Sequence, residues 1–165
     1  MRPRFHWLAL PLAVFALDGL SKAWVLAHVL PESPRVLIPD VFNLRLGFNE
    51  GAIFGSFAGA PAWLRASLFT GATIVALAYF GWEFLREGTA GWERVALGLI
   101  LGGILGNSLD RLRHGHVVDF FDVVIRGWHY WTFNVADSFI VSGAILYGIS
   151  LLPGKDKKLA TDKQG

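Results

Sequence analysis

Two aspartates in this chain have the surroundings that carboxylate chemistry requires: Asp119, in "GHVVDF" (115–120), and Asp137, in "FNVADS" (133–138). Their separation of 18 residues would be about 27 Å along one helix. They meet only if the intervening chain doubles back, and "DFFDVVIRGWHYWTF" contains Gly127, where such a turn can form. Two carboxylates at one site cannot both ionise easily, so they share a proton. One then acts as base on water and the other as acid toward a scissile carbonyl. That is the chemistry of an aspartic protease. Spacing alone also admits Asp122 in place of Asp119, or a solvated loop position for either.

The remaining ionisable residues in apolar surroundings read as support. A charge within a membrane span is costly and calls for a partner. Asp18 and Lys22 are four apart, share a helix face and are expected to form an ion pair. Asn107, Asp110 and Arg111 also share a face, so Arg111 is placed to neutralise Asp110 or to orient another carboxylate. His114, His116 and His129 lack a firm zinc framework, and no metal or cofactor is expected. Neither a Gly-x-Ser-x-Gly elbow nor a His-Glu-x-x-His helix occurs. A chain without cysteine excludes thiolate catalysis and disulfides.

These residues must be positioned by a membrane-embedded frame. At 53% hydrophobic and 17% charged, the apolar content exceeds what a small soluble core needs. Four segments, about 7–30, 63–85, 92–112 and 134–152, approach the roughly 20 residues that cross a bilayer. The apolar run of the first resumes after Lys22, which makes it too long for a cleavable signal sequence. The expectation is one domain, residues 1–152, with a polar cytoplasmic tail at 153–165. Arg2, Arg4 and the C-terminal lysines place both termini in the cytoplasm. The connections near 31–62 and 113–133 then face outward, and most tryptophans fall near span ends or in those connections. A net charge of +2 with no basic stripe gives nucleic-acid binding no support.

Residues 41–49, "VFNLRLGFN", alternate Phe42, Leu44, Leu46 and Phe48 with polar or small residues, the period of a strand with one apolar face. "GAIFGSFAG" after it reads as a half-buried turn or short interfacial helix, and "VIRGWHYW" as two short strands about Arg126-Gly127. Gly98, Gly102 and Gly106, with Gly103 adjacent, mark a close-packing face on the third span. The residues leave two other classes open. A polar relay of Asp18, Lys22, Asp110 and Asp137 would suit a small transporter, and a scaffold would need no chemistry. Clustering of the polar groups toward the outer ends, except Asp18 and Lys22, favours hydrolysis near the membrane surface.

Five blocks in order, "DGLSK" (18–22), "FNEGAIFGS" (48–56), "GGILGNSLDRL" (102–112), "GHVVDF" and "FNVADS", resemble the lipoprotein signal peptidase family, signal peptidase II. The resemblance spans nearly the whole chain. It implies an all-α membrane protein of four transmembrane helices, with a small outward-facing β-cradle at the surface of a bacterial inner membrane. It further implies an aspartic endopeptidase that removes the signal peptide from diacylglyceryl-modified prolipoproteins, just before the lipidated cysteine. By motif, Asp119 and Asp137 become the catalytic pair. Asn49, Asn107, Arg111 and Asn134 become residues that line or order the site, with Asp18, Lys22 and Asp110 supporting them. Substrate prolipoproteins, the lipid bilayer and globomycin-like inhibitors are the implied partners. Two positions depart from the pattern: Glu50 stands where a small hydroxyl residue is usual, and Gly19 where a polar residue commonly follows the first Asp.

Overall fold

A computed structural model describes residues 5–50 and 61–152. The "GAIFGSFAG" segment and the tail at 153–165 therefore lie outside the described residues. A short 3-10 turn, Phe5–Leu8, leads into helix α1, Ala9–His28. Strands β1 (Arg35–Ile38) and β2 (Phe42–Asn49) follow, then helices α2 (Ala62–Leu85) and α3 (Gly91–His114). Strands β3 (Val117–Ile125) and β4 (Trp128–Phe133) lead directly into helix α4, Val135–Ser150.

Three segments, His6–His28, Trp63–Leu85 and Gly91–His114, are helical, long and apolar enough to cross a membrane. Helix α4 is apolar but shorter than the expected 134–152, because Asn134 caps it and only Val135–Ser150 is helical. Its 16 residues rise about 24 Å at 1.5 Å each. The wide outward exposure of apolar side chains, including Leu20, Ile74, Val75 and Trp82, is what a surface in contact with lipid tails requires.

Small residues on α3 decide how closely its neighbours approach. A Cβ at Gly106 would collide with the Asp18 carboxylate of α1, and one at Gly103 would lie 2.6 Å from the Ala136 carbonyl oxygen of α4. Hence the glycine-rich face packs within this chain, with α1 on one side and α4 on the other.

The four strands form one antiparallel sheet in the order β1-β2-β3-β4. A two-residue turn at Arg126 (φ 53°) and Gly127 (φ 81°) joins β3 to β4, the positive-φ pair that a tight hairpin needs. Val25 of α1 and Val29 just past its end pack with Leu44, Leu46, Val118 and Phe120 to seat the sheet against the end of that helix.

Strand β2 departs from strict alternation. Leu44 and Leu46 are buried, but Phe48 is 52% exposed and Asn43 is buried. Phe48 is turned outward by a bulge: Leu44 lies opposite Phe121 while Gly47 lies opposite Asp119, so β2 carries one extra residue there, whereas Asn43 precedes the bulge and is buried against Asp122. A one-residue change of register moves every later side chain to the other face. Asn49 therefore pairs with Val117, on the same face as Asp119.

Candidate active site

The site forms where β3, the β4–α4 junction, the middle of α1 and the end of α3 converge. Helix α3 stops at Gly115, whose left-handed conformation (φ 76°) ends the helix and launches β3. Two residues into that strand, Asp119 is 1% exposed. Its Oδ2 accepts from Asn49 Nδ2 at 3.0 Å and its Oδ1 from Asn134 Nδ2 at 2.8 Å.

Asn134 connects the two halves of the site. It is fully buried and caps α4, its Oδ1 accepting from the Asp137 backbone N–H at 2.9 Å. In return, Asp137 Oδ2 accepts from the Asn134 backbone N–H at 3.2 Å, completing a capping box. The Asn134 amide also donates to Asn107 Oδ1 at 3.0 Å, and Asn107 Nδ2 donates to Asp137 Oδ1 at 2.7 Å. Two aspartates 18 residues apart in sequence thus meet through Asn134, which bonds the Asp119 carboxylate by its side chain and the Asp137 carboxylate by its backbone N–H, while Asn107 joins Asn134 to Asp137.

Behind this layer lies a buried charge cluster. Lys22 Nζ makes ion pairs with Asp18 at 2.7 Å and Asp110 at 2.9 Å, and donates to Asn107 Oδ1 at 3.0 Å. Asp18 also accepts from the Ala136 N–H at 2.9 Å, and Asp110 from the Val118 N–H at 3.1 Å. One cation on α1 therefore ties α3, and two anions tie the starts of α4 and β3. The expected Asp18–Lys22 pair is present. Asp110, however, is neutralised by Lys22 and not by Arg111, because Lys22 reaches across the close α1–α3 contact. The Arg111 guanidinium instead sits over the Phe69 ring of α2, 5.0 Å from its centroid. It remains within electrostatic reach of Asp137 and Asp119.

Burial pushes the Asp119 carboxyl up to about 6. Hydrogen bonds from Asn49 and Asn134 and the charge of Lys22 oppose this rise, whereas the negative charge of Asp137 adds to it. A carboxyl near 6 exchanges its proton close to neutral pH, which acid–base chemistry needs.

Asp122 lies three residues beyond Asp119 and so on the opposite face of β3. It is neither a solvated loop residue nor a neighbour of Asp137: it is fully buried, and its Oδ2 is held by His129 Nδ1 at 2.6 Å and Asn43 Nδ2 at 3.4 Å. Asn43 had only its place on the polar side of the alternation to mark it. Of the other two histidines in this region, His116 packs edge-on against Phe48, with His114 5.9 Å away.

The family model described as Signal peptidase (SPase) II matches residues 10–153. This chain belongs to the signal peptidase II family. The lipoprotein signal peptidase of Pseudomonas aeruginosa (strain UCBPP-PA14) is 38% identical over 154 residues, covering 92% of this chain and 90% of that one. The protein of the same name from Pseudoalteromonas atlantica is 40% identical over 93% of this chain and 92% of its own length. That of Ralstonia nicotianae is 43% identical over 85% and 80%. A bacterial membrane enzyme solved by the in meso method at 1.9 Å superposes with a TM-score of 0.78 at 28% identity, over 93% of this chain and 96% of that chain. The chain is accordingly a membrane peptidase, mostly helical, with a small antiparallel sheet. Of the sequence-derived site residues, Asn49, Asn107, Asn134, Asp18, Lys22 and Asp110 join the two aspartates in one bonded network. Arg111 borders the network, with its guanidinium over Phe69.

Proposed function

We propose that this signal peptidase II hydrolyses diacylglyceryl-modified prolipoproteins just before the lipidated cysteine, with Asp119 and Asp137 as its catalytic pair. The observation that carries this reading is Asn134, bonded to both carboxylates at once. With one proton on the pair, the ionised carboxylate removes a proton from water as the water oxygen attacks the scissile carbonyl carbon. The protonated partner donates to the carbonyl oxygen, and a tetrahedral diol forms. Collapse breaks the C–N bond, a proton passes to the leaving cysteine nitrogen, and the signal peptide departs with a new carboxylate. Asn49, Asn107 and Asn134 fix the carboxylates, Arg111 supplies positive charge at the rim, and the Asp18–Lys22–Asp110 cluster holds the helices that carry them.

The membrane arrangement is part of this proposal. Residues 1–152 form one peptidase domain in which α4 is the fourth transmembrane helix, extended by the exposed Leu151 and Leu152. Both termini are cytoplasmic, and the sheet and catalytic pair lie at the outer surface of the inner membrane. Eight basic residues inside against six outside support this orientation. A substrate's signal helix then stays in the bilayer while its scissile bond reaches the carboxylates. Globomycin-like cyclic peptides are expected to compete at the same place.

Gel-resolved cleavage of a diacylglyceryl-modified prolipoprotein by purified protein in detergent tests the reading. Wild type cleaves, whereas folded Asp119→Asn and Asp137→Asn do not. Normal turnover by either variant removes the assignment of the pair.

A further inference from the structure

Asp122 takes no part in the chemistry proposed above, yet its carboxylate is fully buried. Its Oδ1 is buried without a hydrogen-bond partner among the described residues. Burying an ionisable group so incompletely paired is a poor way to gain stability, since an apolar side chain of similar volume often serves as well or better. Buried polar groups of this kind are best attested where they fix register. The sheet offers that explanation directly.

Asp122 grips one residue on each neighbouring strand, and each grip lies beside a one-residue bulge. On β2, Asn43 sits opposite Asp122, and the register shifts between Leu44 and Gly47 just after it. On β4, Val123 pairs with Trp131 while Val124 pairs with His129, so Tyr130 is the extra residue and His129 lies just past it. The β4 bulge brings His129 onto the face of Asp122; the β2 bulge brings Asn49 onto the face of Asp119. If β2 lost its bulge, Asn49 would point away from Asp119.

We propose that Asp122 is a positioning residue: by clasping Asn43 and His129 it holds both bulges in place, and so keeps Asn49 on Asp119 and β4 aimed at Asn134. This rests on Asp119 and Asp137 being the catalytic pair. The clasp acts through strand register and touches no substrate.

The chain has no cysteine, so register can be read by paired cysteines. Phe48 lies opposite Val118, and facing residues of an antiparallel pair are close enough for a disulfide. In a sheet without the β2 bulge, Phe48 would instead face Val117. Full-length Phe48→Cys/Val118→Cys and Phe48→Cys/Val117→Cys proteins are oxidised in detergent, each with Asp122, Asp122→Leu or Asp122→Asn. Cleavage kinetics are measured on the same three forms without the cysteines.

With Asp122, the 48/118 bond dominates. Asp122→Leu shifts cross-linking toward 48/117 and lowers kcat by at least about tenfold with KM little changed, since misplacing a catalytic group by about 1 Å costs on the order of a hundredfold. Asp122→Asn keeps an acceptor for His129, the 48/118 preference and most of kcat. Wild-type kcat in Asp122→Leu overturns the proposal, as does lost kcat with the 48/118 preference intact. Should Asp122→Leu fail to fold, His129→Ala, at a half-exposed position, is read by the same two measurements. Asp119→Asn is the control: if it stays active, the catalytic pair is wrong, whatever the cross-links report.

Discussion

Replacing Asp119 with Asn should change how stability responds to pH, and the structure sets both the sign and the size. The carboxyl titrates at 3.8 when unperturbed and at about 6 in the folded chain, so between these values the folded state keeps a proton that the unfolded state has released. Its stabilising contribution is complete below about pH 4 and is lost as pH rises through 6. At about 1.4 kcal/mol for each pH unit between the two values, the wild type loses about 3 kcal/mol over that window. The carboxamide of the variant cannot titrate, so it shows no such loss. The substitution also alters contacts: Asn49 and Asn134 both donate to Asp119, and an Asn side chain has one acceptor for two donors. That mismatch shifts the variant by a constant and leaves the pH dependence untouched. The assay is thermal unfolding of both proteins in one detergent, at steps from pH 4 to pH 8. The stability difference between variant and wild type should move in the variant's favour by about 3 kcal/mol between pH 4 and pH 7, then stay level. Parallel curves would refute the reasoning, because Asp119 would then titrate alike folded and unfolded.

Two further outcomes follow from the network. Asn134→Ser keeps an oxygen to cap α4 but removes the amide that donates to Asp119 and Asn107. It should lose most cleavage activity and move the acid limb of the pH–rate profile upward, while Asn134→Ala adds a stability loss of about 1 kcal/mol for the cap; an unmoved acid limb in the Ser variant would count against Asn134 as the link. Lys22→Met strands Asp18 and Asp110 without their shared cation and should cost about 3–5 kcal/mol. Adding Asp18→Asn should recover part of that in thermal unfolding, and strict additivity of the two substitutions would argue against the cluster.

Much of this site was legible in the sequence because its parts are local. The Asp18–Lys22 pair follows from a helix repeat, the β3–β4 hairpin from Gly127, and the candidate pair from two short motifs with a turn between them. What stayed hidden depends on relations between elements. Lys22 pairs with Asp110 only because α1 and α3 approach closely at Gly106, a distance no periodicity encodes. Asp122 resembled Asp119 in sequence and was separated from it by strand parity alone. The two bulges leave no composition signal: Phe48 continues the apolar alternation of 41–49 perfectly well in sequence, and yet it is exposed. Helix α4 is shorter than its expected span because Asn134, which in sequence is only the polar first residue of that span, is its cap.

Among the described residues, the hydrogen bonds that link Asp119 to Asp137 all pass through a carboxamide residue, Asn107 or Asn134. Carboxamides do not gain or lose protons in the pH range where proteins stay folded. The scaffold therefore presents the same donors and acceptors whether the pair carries two protons, one or none. A frame built from histidines or further carboxylates would rearrange its own hydrogen bonds with each proton exchanged. Here the proton inventory can cycle through a turnover while the frame stands still, so the geometry that receives the next substrate is the one that released the last.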